Sequence, residues 1–116
     1  MNDDRIRVLI FEPKRNPYER MIDNTLFAFQ TCVGGNIEIL QPTHIKESAL
    51  LICNADGKNN GMTPNRFLLD KDGRAYDCVF GPFLLVRDRD DDFGSLTPTQ
   101  LQRFKDPDVN GGELFW

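Results

Sequence analysis

Hydrophobic and polar positions alternate along this chain in segments short enough to name one by one. Ile6–Phe11 (IRVLIF) is an apolar, β-rich run stopped by Glu12-Pro13 and predicts a buried first strand. Lys14–Pro17 is a turn, and Tyr18–Ile22 a short second strand returning from it. Asp23 and Asn24 are good helix caps in front of TLFAFQTCV. With Asp23 as the cap, Ile22 and Phe27 form a hydrophobic staple. Leu26, Phe29 and Val33 then line one helical face, and Gly34-Gly35 end the helix.

Beyond the glycines, Asn36–Gln41 alternates and predicts a half-exposed strand with Glu38 in water, and Pro42–Ser48 is a loop holding His44. Ala49–Asn54 (ALLICN) is continuously apolar and predicts a central strand. Asp56-Gly57 and Asn60-Gly61 make residues 55–63 a loop, after which Thr63–Arg66 caps a short helical turn with Pro64 in its first position. Phe67–Leu69 and Arg74–Phe80 flank a glycine-bearing turn as a hairpin; Gly81-Pro82 interrupts before Phe83–Val86 resumes as a strand. The last helix has the clearest punctuation. Thr97 is its cap, Pro98 is N1, Gln100 closes a capping box, and Leu96 and Leu101 staple it as far as Lys105. The sum is a single small α+β domain over residues 1–105, with a largely antiparallel sheet, two main helices (about 24–33 and 98–105) and a C-terminal tail over 106–116.

Composition narrows the function. A length of 116 residues with 40% hydrophobic positions builds one core without metal or disulfide support. A formal charge of −4 argues against a binder of duplex DNA, which needs a basic stripe. No apolar stretch is long enough to span a membrane, and the acidic, polar start lacks the layout of a secretion signal; both predict a chain that stays in the cytosol. Cys32, Cys53 and Cys78 are widely spaced, odd in number and set in apolar runs, so they read as buried thiols and not as zinc ligands.

Catalytic patterns are missing: no GxSxG, HExxH, GxxxxGK[ST] or post-strand GxGxxG occurs. The acidic run Asp88–Asp92 puts Phe93 where an EF-hand loop needs glycine and Thr99 where it needs glutamate, so that reading fails. No metal or cofactor is expected. The richest candidate is Asn54–Arg66, where Asn54, Asp56, Lys58, Asn65 and Arg66 surround two glycines at the exit of a central strand. Such groups read carboxylate, phosphate or base edges; equally, they satisfy the turns of a hydrophilic connection. Phe27, Phe29 and Phe80 are assigned to the core. For Phe115 and Trp116 three readings stand: docking back onto the domain, anchoring a partner or second subunit, or a disordered tail.

Several strings, in order, carry a family resemblance. These are Ile22-Asp23-Asn24-Thr25-Leu26, Val33-Gly34-Gly35 with Ile37-Glu38, Leu51–Asn54 with Gly57-Lys58, Pro64-Asn65-Arg66, Gly81, and Asp92-Phe93 with Ser95-Leu96-Thr97. Over roughly residues 6 to 105 the chain resembles a small domain-of-unknown-function family encoded largely by phages, plasmids and other bacterial mobile elements. Ala55-Asp56 departs from the two acidic residues of that pattern, and residues after Lys105 are extra to it. The family lends no catalytic residue. What the resemblance implies is a short accessory protein of a mobile element, one class of which blunts host immunity. The first function expected is a non-enzymatic counter-defence or host-modulating protein of the host cytosol that binds a host protein through the Asn54–Arg66 loop and the neighbouring sheet edge. A second class of function is a trap for a small nucleotide signal, formed between subunits of a homo-oligomer, with Lys58, Asn65 and Arg66 on phosphate and base. A third is a minor nucleotide hydrolase using Asp56 or Asp77.

Overall fold

The computed structural model describes residues 4–42, 48–90, 92–112 and 115; the expected loop around His44, Asp91 of the acidic run, and Trp116 lie outside them. In chain order the elements are β1 (Arg5–Phe11), β2 (Tyr18–Asp23), α1 (Leu26–Val33), β3 (Ile37–Leu40), β4 (Ala49–Asn54), β5 (Pro64–Leu69), β6 (Ala75–Phe80), β7 (Phe83–Asp88), β8 (Phe93–Gly94), α2 (Pro98–Lys105) and α3 (Pro107–Asn110). The fold is α+β. Its main sheet runs β2-β1-β7-β4-β3 with β8 also on β7, and every pairing is antiparallel. β5 and β6 form a separate two-stranded ribbon.

The continuous apolar runs of β1, β4 and β7 arise because both faces of the sheet centre are covered. Ile6, Val8, Ile10, Ile52, Leu84 and Val86 meet Phe29 and Val33 of α1 on one face. On the other, Leu9, Phe11, Leu51, Phe83 and Leu85 meet the β5–β6 ribbon and the two C-terminal helices. The registers Leu9↔Leu85 and Leu51↔Leu85 place like with like across three strands, which fixes which set faces which cover.

The α2 expectation holds to the residue. Thr97 Oγ1 accepts from the Gln100 backbone N–H at 3.1 Å, and Gln100 Oε1 accepts from that of Thr97 at 2.9 Å. At α1 the cap is Thr25, whose hydroxyl accepts from Ala28 N–H at 3.1 Å. Asn24 donates to Asp92 and to the Phe93 carbonyl, and with Thr25 instead of Asp23 as the cap, Ile22 and Phe27 do not hold the staple positions. Phe27 projects about 200° around the helix from the inward Phe29 and is 78% exposed, and Leu26 is also exposed; neither belongs to the core. Phe80 is half-buried.

Two further expectations are corrected. Thr63–Arg66 is no helical turn: residues 64–69 are β5, paired with β6, and Pro64 begins an edge strand where its missing N–H is tolerated. The domain also continues past Lys105. Asp106 caps α3, Val109 enters the core, and Asn110 Nδ2 donates to the Phe104 carbonyl at 3.0 Å. Phe115 bridges to Leu68, and its ring, fully buried, packs 5.4 Å from Phe11 and 5.8 Å from Phe83. An aromatic this size gains more by filling that gap than by waiting in water. Phe115 is therefore a core residue and not a free partner anchor.

Candidate functional site

The five residues of the Asn54–Arg66 segment do not converge. Asn54, at the end of β4, is buried; its Nδ2 donates to the Val33 carbonyl at 3.1 Å and its Oδ1 accepts from Asp56 N–H at 2.8 Å. It closes the C-terminal end of α1 and the turn after β4 at once. Gly57 is required beside it, as a Cβ there would sit 2.6 Å from the Phe80 carbonyl oxygen. Asp56 and Lys58 are exposed, Lys58 Nζ lying 5.4 Å from the centre of the Phe80 ring.

Asn65 and Arg66 lie apart from these, on β5 beside the β1–β2 turn, where they border a different depression together with Lys14 and Arg15. Asn65 Nδ2 donates to the carbonyls of Phe11 and Gly81, both at 2.9 Å, and its Oδ1 accepts from Arg66 at 2.8 Å. Arg66 also donates to the carbonyls of Glu12 and Arg15, with its guanidinium 5.7 Å from the Phe11 ring centre. Together they clasp the main sheet to the ribbon.

Between β3, β4 and β6 lies a polar cavity of about 150 Å³ lined by Glu38, Cys53, Lys58, Asp77 and Cys78 among others. Burial, with Glu38 and Asp77 nearby, pushes the Cys53 thiol up to about 11; burial likewise raises Cys78. Both stay protonated at neutral pH and are weak nucleophiles there. Among the described residues no group of three or more His, Cys, Asp or Glu side chains is placed to hold a metal ion. No helix among them is long and apolar enough to cross a membrane.

The main sheet ends in two edge strands, β2 and β3, and β2 is the one flanked by a large groove on each side. On one, Glu19 and Met21 face α2 across a cleft of about 780 Å³ whose walls include Arg7, Leu101 and Lys105. Glu19 pairs there with Arg7 at 3.4 Å and with Lys105, and the hydrogen bond from Lys105 holds its carboxyl below the usual carboxylate range. On the other face a cleft of about 380 Å³ runs between β2 and α1, lined by Tyr18, Arg20, Phe27, Thr31 and Cys32. Tyr18 and Met21 of β2 and Leu26 and Phe27 at the start of α1 are large apolar side chains left exposed.

The hydrogen-bond register shows which backbone groups of β2 remain open. Asn24 N–H donates to the Asp4 carbonyl at 2.9 Å, so in the ladder Ile6↔Ile22, Val8↔Arg20, Ile10↔Tyr18 the residues exchange bonds. Glu19, Met21 and Asp23 belong to the intervening pairs, and their N–H and C=O groups point away from β1. The phase is independently fixed at Arg7, opposite Met21, which turns its backbone the other way: its N–H meets Ser95 Oγ at 2.8 Å and its carbonyl accepts from Leu96 N–H at 3.0 Å. Sequence reading singled out none of Arg5, Glu19, Arg20 or Met21. The available signal was Tyr18–Asp23 itself, a strand with charges on both of its faces, which is how an edge strand reads.

These features define a small α+β domain with a doubly covered antiparallel sheet and an exposed β2 edge flanked by a groove on each face. The chain belongs to the family of the domain of unknown function DUF3846, whose model matches residues 6–107. No curated protein and no solved structure matches it. The strings that carried the resemblance are largely the fasteners just described. Asn24 binds Asp92; Asn54 and Gly57 shape the turn after β4; Asn65 and Arg66 clasp the ribbon; Ser95 to Thr97 tie β1 to the start of α2.

Proposed function

We propose that the chain is a non-enzymatic binding module, the accessory protein of a mobile element, and that it engages a host protein through the β2 rim. One observation carries the reading: Tyr18, Met21, Leu26 and Phe27 are exposed beside a strand whose outward backbone groups have no strand partner among the described residues. Large apolar side chains exposed next to an open sheet edge are costly to keep unless something covers them. The nucleotide-trap reading draws less support. Lys58 borders a cavity of about 150 Å³, against roughly 300–1,000 Å³ for ordinary ligand sites, and Arg66 and Asn65 are committed to backbone carbonyls. A hydrolase needs a base held by an orienting partner beside a cleft. Asp77 instead accepts from the neighbouring Cys78 N–H on an exposed strand face.

A photo-crosslinking side chain placed at Phe27 or at Lys58, in cells, tests the reading. Position 27 yields a discrete protein adduct and position 58 yields none. An adduct from position 58 alone, or turnover of a nucleotide that collapses with Asp56→Asn, contradicts it.

A further inference from the structure

The grooves on the two faces of β2 point to the form of the partner. We infer that β2 accepts an extended strand of another protein, one carrying a carboxylate that faces Arg20 and alternate residues entering each groove. This deepens the reading above and rests on it.

The ladder phase turns the N–H and C=O groups of Glu19, Met21 and Asp23 outward, spaced as an antiparallel partner requires. The edge is blunted by one side chain. Arg5 donates to the Met21 carbonyl at 3.2 Å and lies 3.7 Å from Asp23, both exposed, so an incoming strand displaces a solvated arginine and no packed element. The side chains around β2 add an unbalanced charge. In the α1-side groove Arg5 is matched by Asp23, and Glu12 sits against the Tyr18 hydroxyl. Arg20 is exposed, has no hydrogen bond or ion pair among the described residues, and lines the same groove as Tyr18, Phe27 and Cys32. A guanidinium flanked by Tyr18 and Phe27 suits a carboxylate on an otherwise apolar strand.

A second copy of this chain fits poorly. Residues opposed across an antiparallel pair share a face, so a two-fold pairing of β2 must centre on a residue. Centred on Arg20, it sets Arg20 against itself; centred on Met21, it sets Glu19 against Asp23. Both of these fullest registers oppose like charges, which is destabilising. The partner strand is therefore not the β2 of a second copy.

The test is selection of displayed random ten-residue segments on the full chain, followed by affinity measurement on variants whose melting is unchanged. Enriched segments should alternate and carry an acidic residue. Met21→Pro deletes an outward N–H without touching the β1 ladder and should weaken binding by about tenfold or more. Ile39→Pro, at an alternate position of the opposite edge, should change it by less than about twofold. Arg5→Ala should tighten binding, and Arg20→Glu should shift selection toward basic segments. Enrichment with no acidic residue, binding indifferent to Met21→Pro, no enrichment at all, or a homodimer broken by Met21→Pro would each overturn the inference. Loss of the inference alone leaves the crosslink from position 27 intact; loss of both removes the binding reading itself.

Discussion

The loop leaving β4 and the strand β2 are both polar in sequence, yet they use that polarity in opposite ways. Between Asn54 and Arg66 the amide and guanidinium groups are consumed by the fold: Asn54 holds the end of α1, while Asn65 and Arg66 reach four backbone carbonyls of other elements. Along β2 the side chains pair loosely at the surface and half of the backbone groups remain outward. A buried carbonyl without a donor costs more than a solvated one, so polar residues near the core are drawn into such clasps first. Binding capacity is left where the polar groups are still in water.

That contrast can be broken most severely at the packed end. Phe115→Ala should destabilise the domain by roughly 3–5 kcal/mol, since it empties a fully enclosed site, whereas Phe27→Ala should stay within about 0.5 kcal/mol. Thermal and denaturant unfolding of the pair check this. Next, Asn65→Ala strips the donor from two carbonyls and should cost about 1–3 kcal/mol, while Lys58→Ala in the exposed part of the same segment should be near neutral. Equal losses from both would erase the distinction between clasp and surface.

Two smaller effects depend on pH. The Cys53 pKa is raised by burial to about 11, above its unfolded value, so the stability held by the protonated thiol is complete below about pH 8.5 and declines as pH rises toward 11. Cys53→Ser should remove that alkaline slope in melting curves. Glu19 has the opposite sign. Its carboxyl is lowered by Lys105, so the contribution of this pair is present above the ordinary carboxylate range and fades as pH falls through the lowered value. The change should be slight and should shrink in high salt, because both partners remain open to solvent at the surface.

Much of this fold was legible locally, and the misses share a cause. The boundaries of α2 follow from Thr97, Pro98 and Gln100 alone, because a capping box is complete within four residues. The apolar runs of β1 and β4 announced strands buried on both faces. Thr63–Arg66 misled because Pro-initiated helical turns and edge strands begin alike, and only pairing with β6, distant in sequence, decides between them. Phe115 could not be placed without knowing that Phe11 and Phe83 stack 4.7 Å apart and leave a third side open. The candidate site was harder still. Asn54, Asn65 and Arg66 are the residue types a ligand site uses, and nothing local tells a carbonyl of Phe11 or Val33 from a ligand's oxygen. The openness of β2 is likewise a property of strand order, which no segment of sequence contains by itself.

Amide hydrogen exchange, resolved to single residues with and without a selected acidic segment, bears most directly on the claim that β2 is the working surface. In the free chain the amides of Glu19, Met21 and Asp23 should exchange quickly while those of Arg20 and Ile22 are protected; binding should slow the first set and leave residues 55–61 unchanged. Slow exchange at Met21 in the free chain, or protection that builds in the 55–61 turn while β2 stays unaltered, would contradict it.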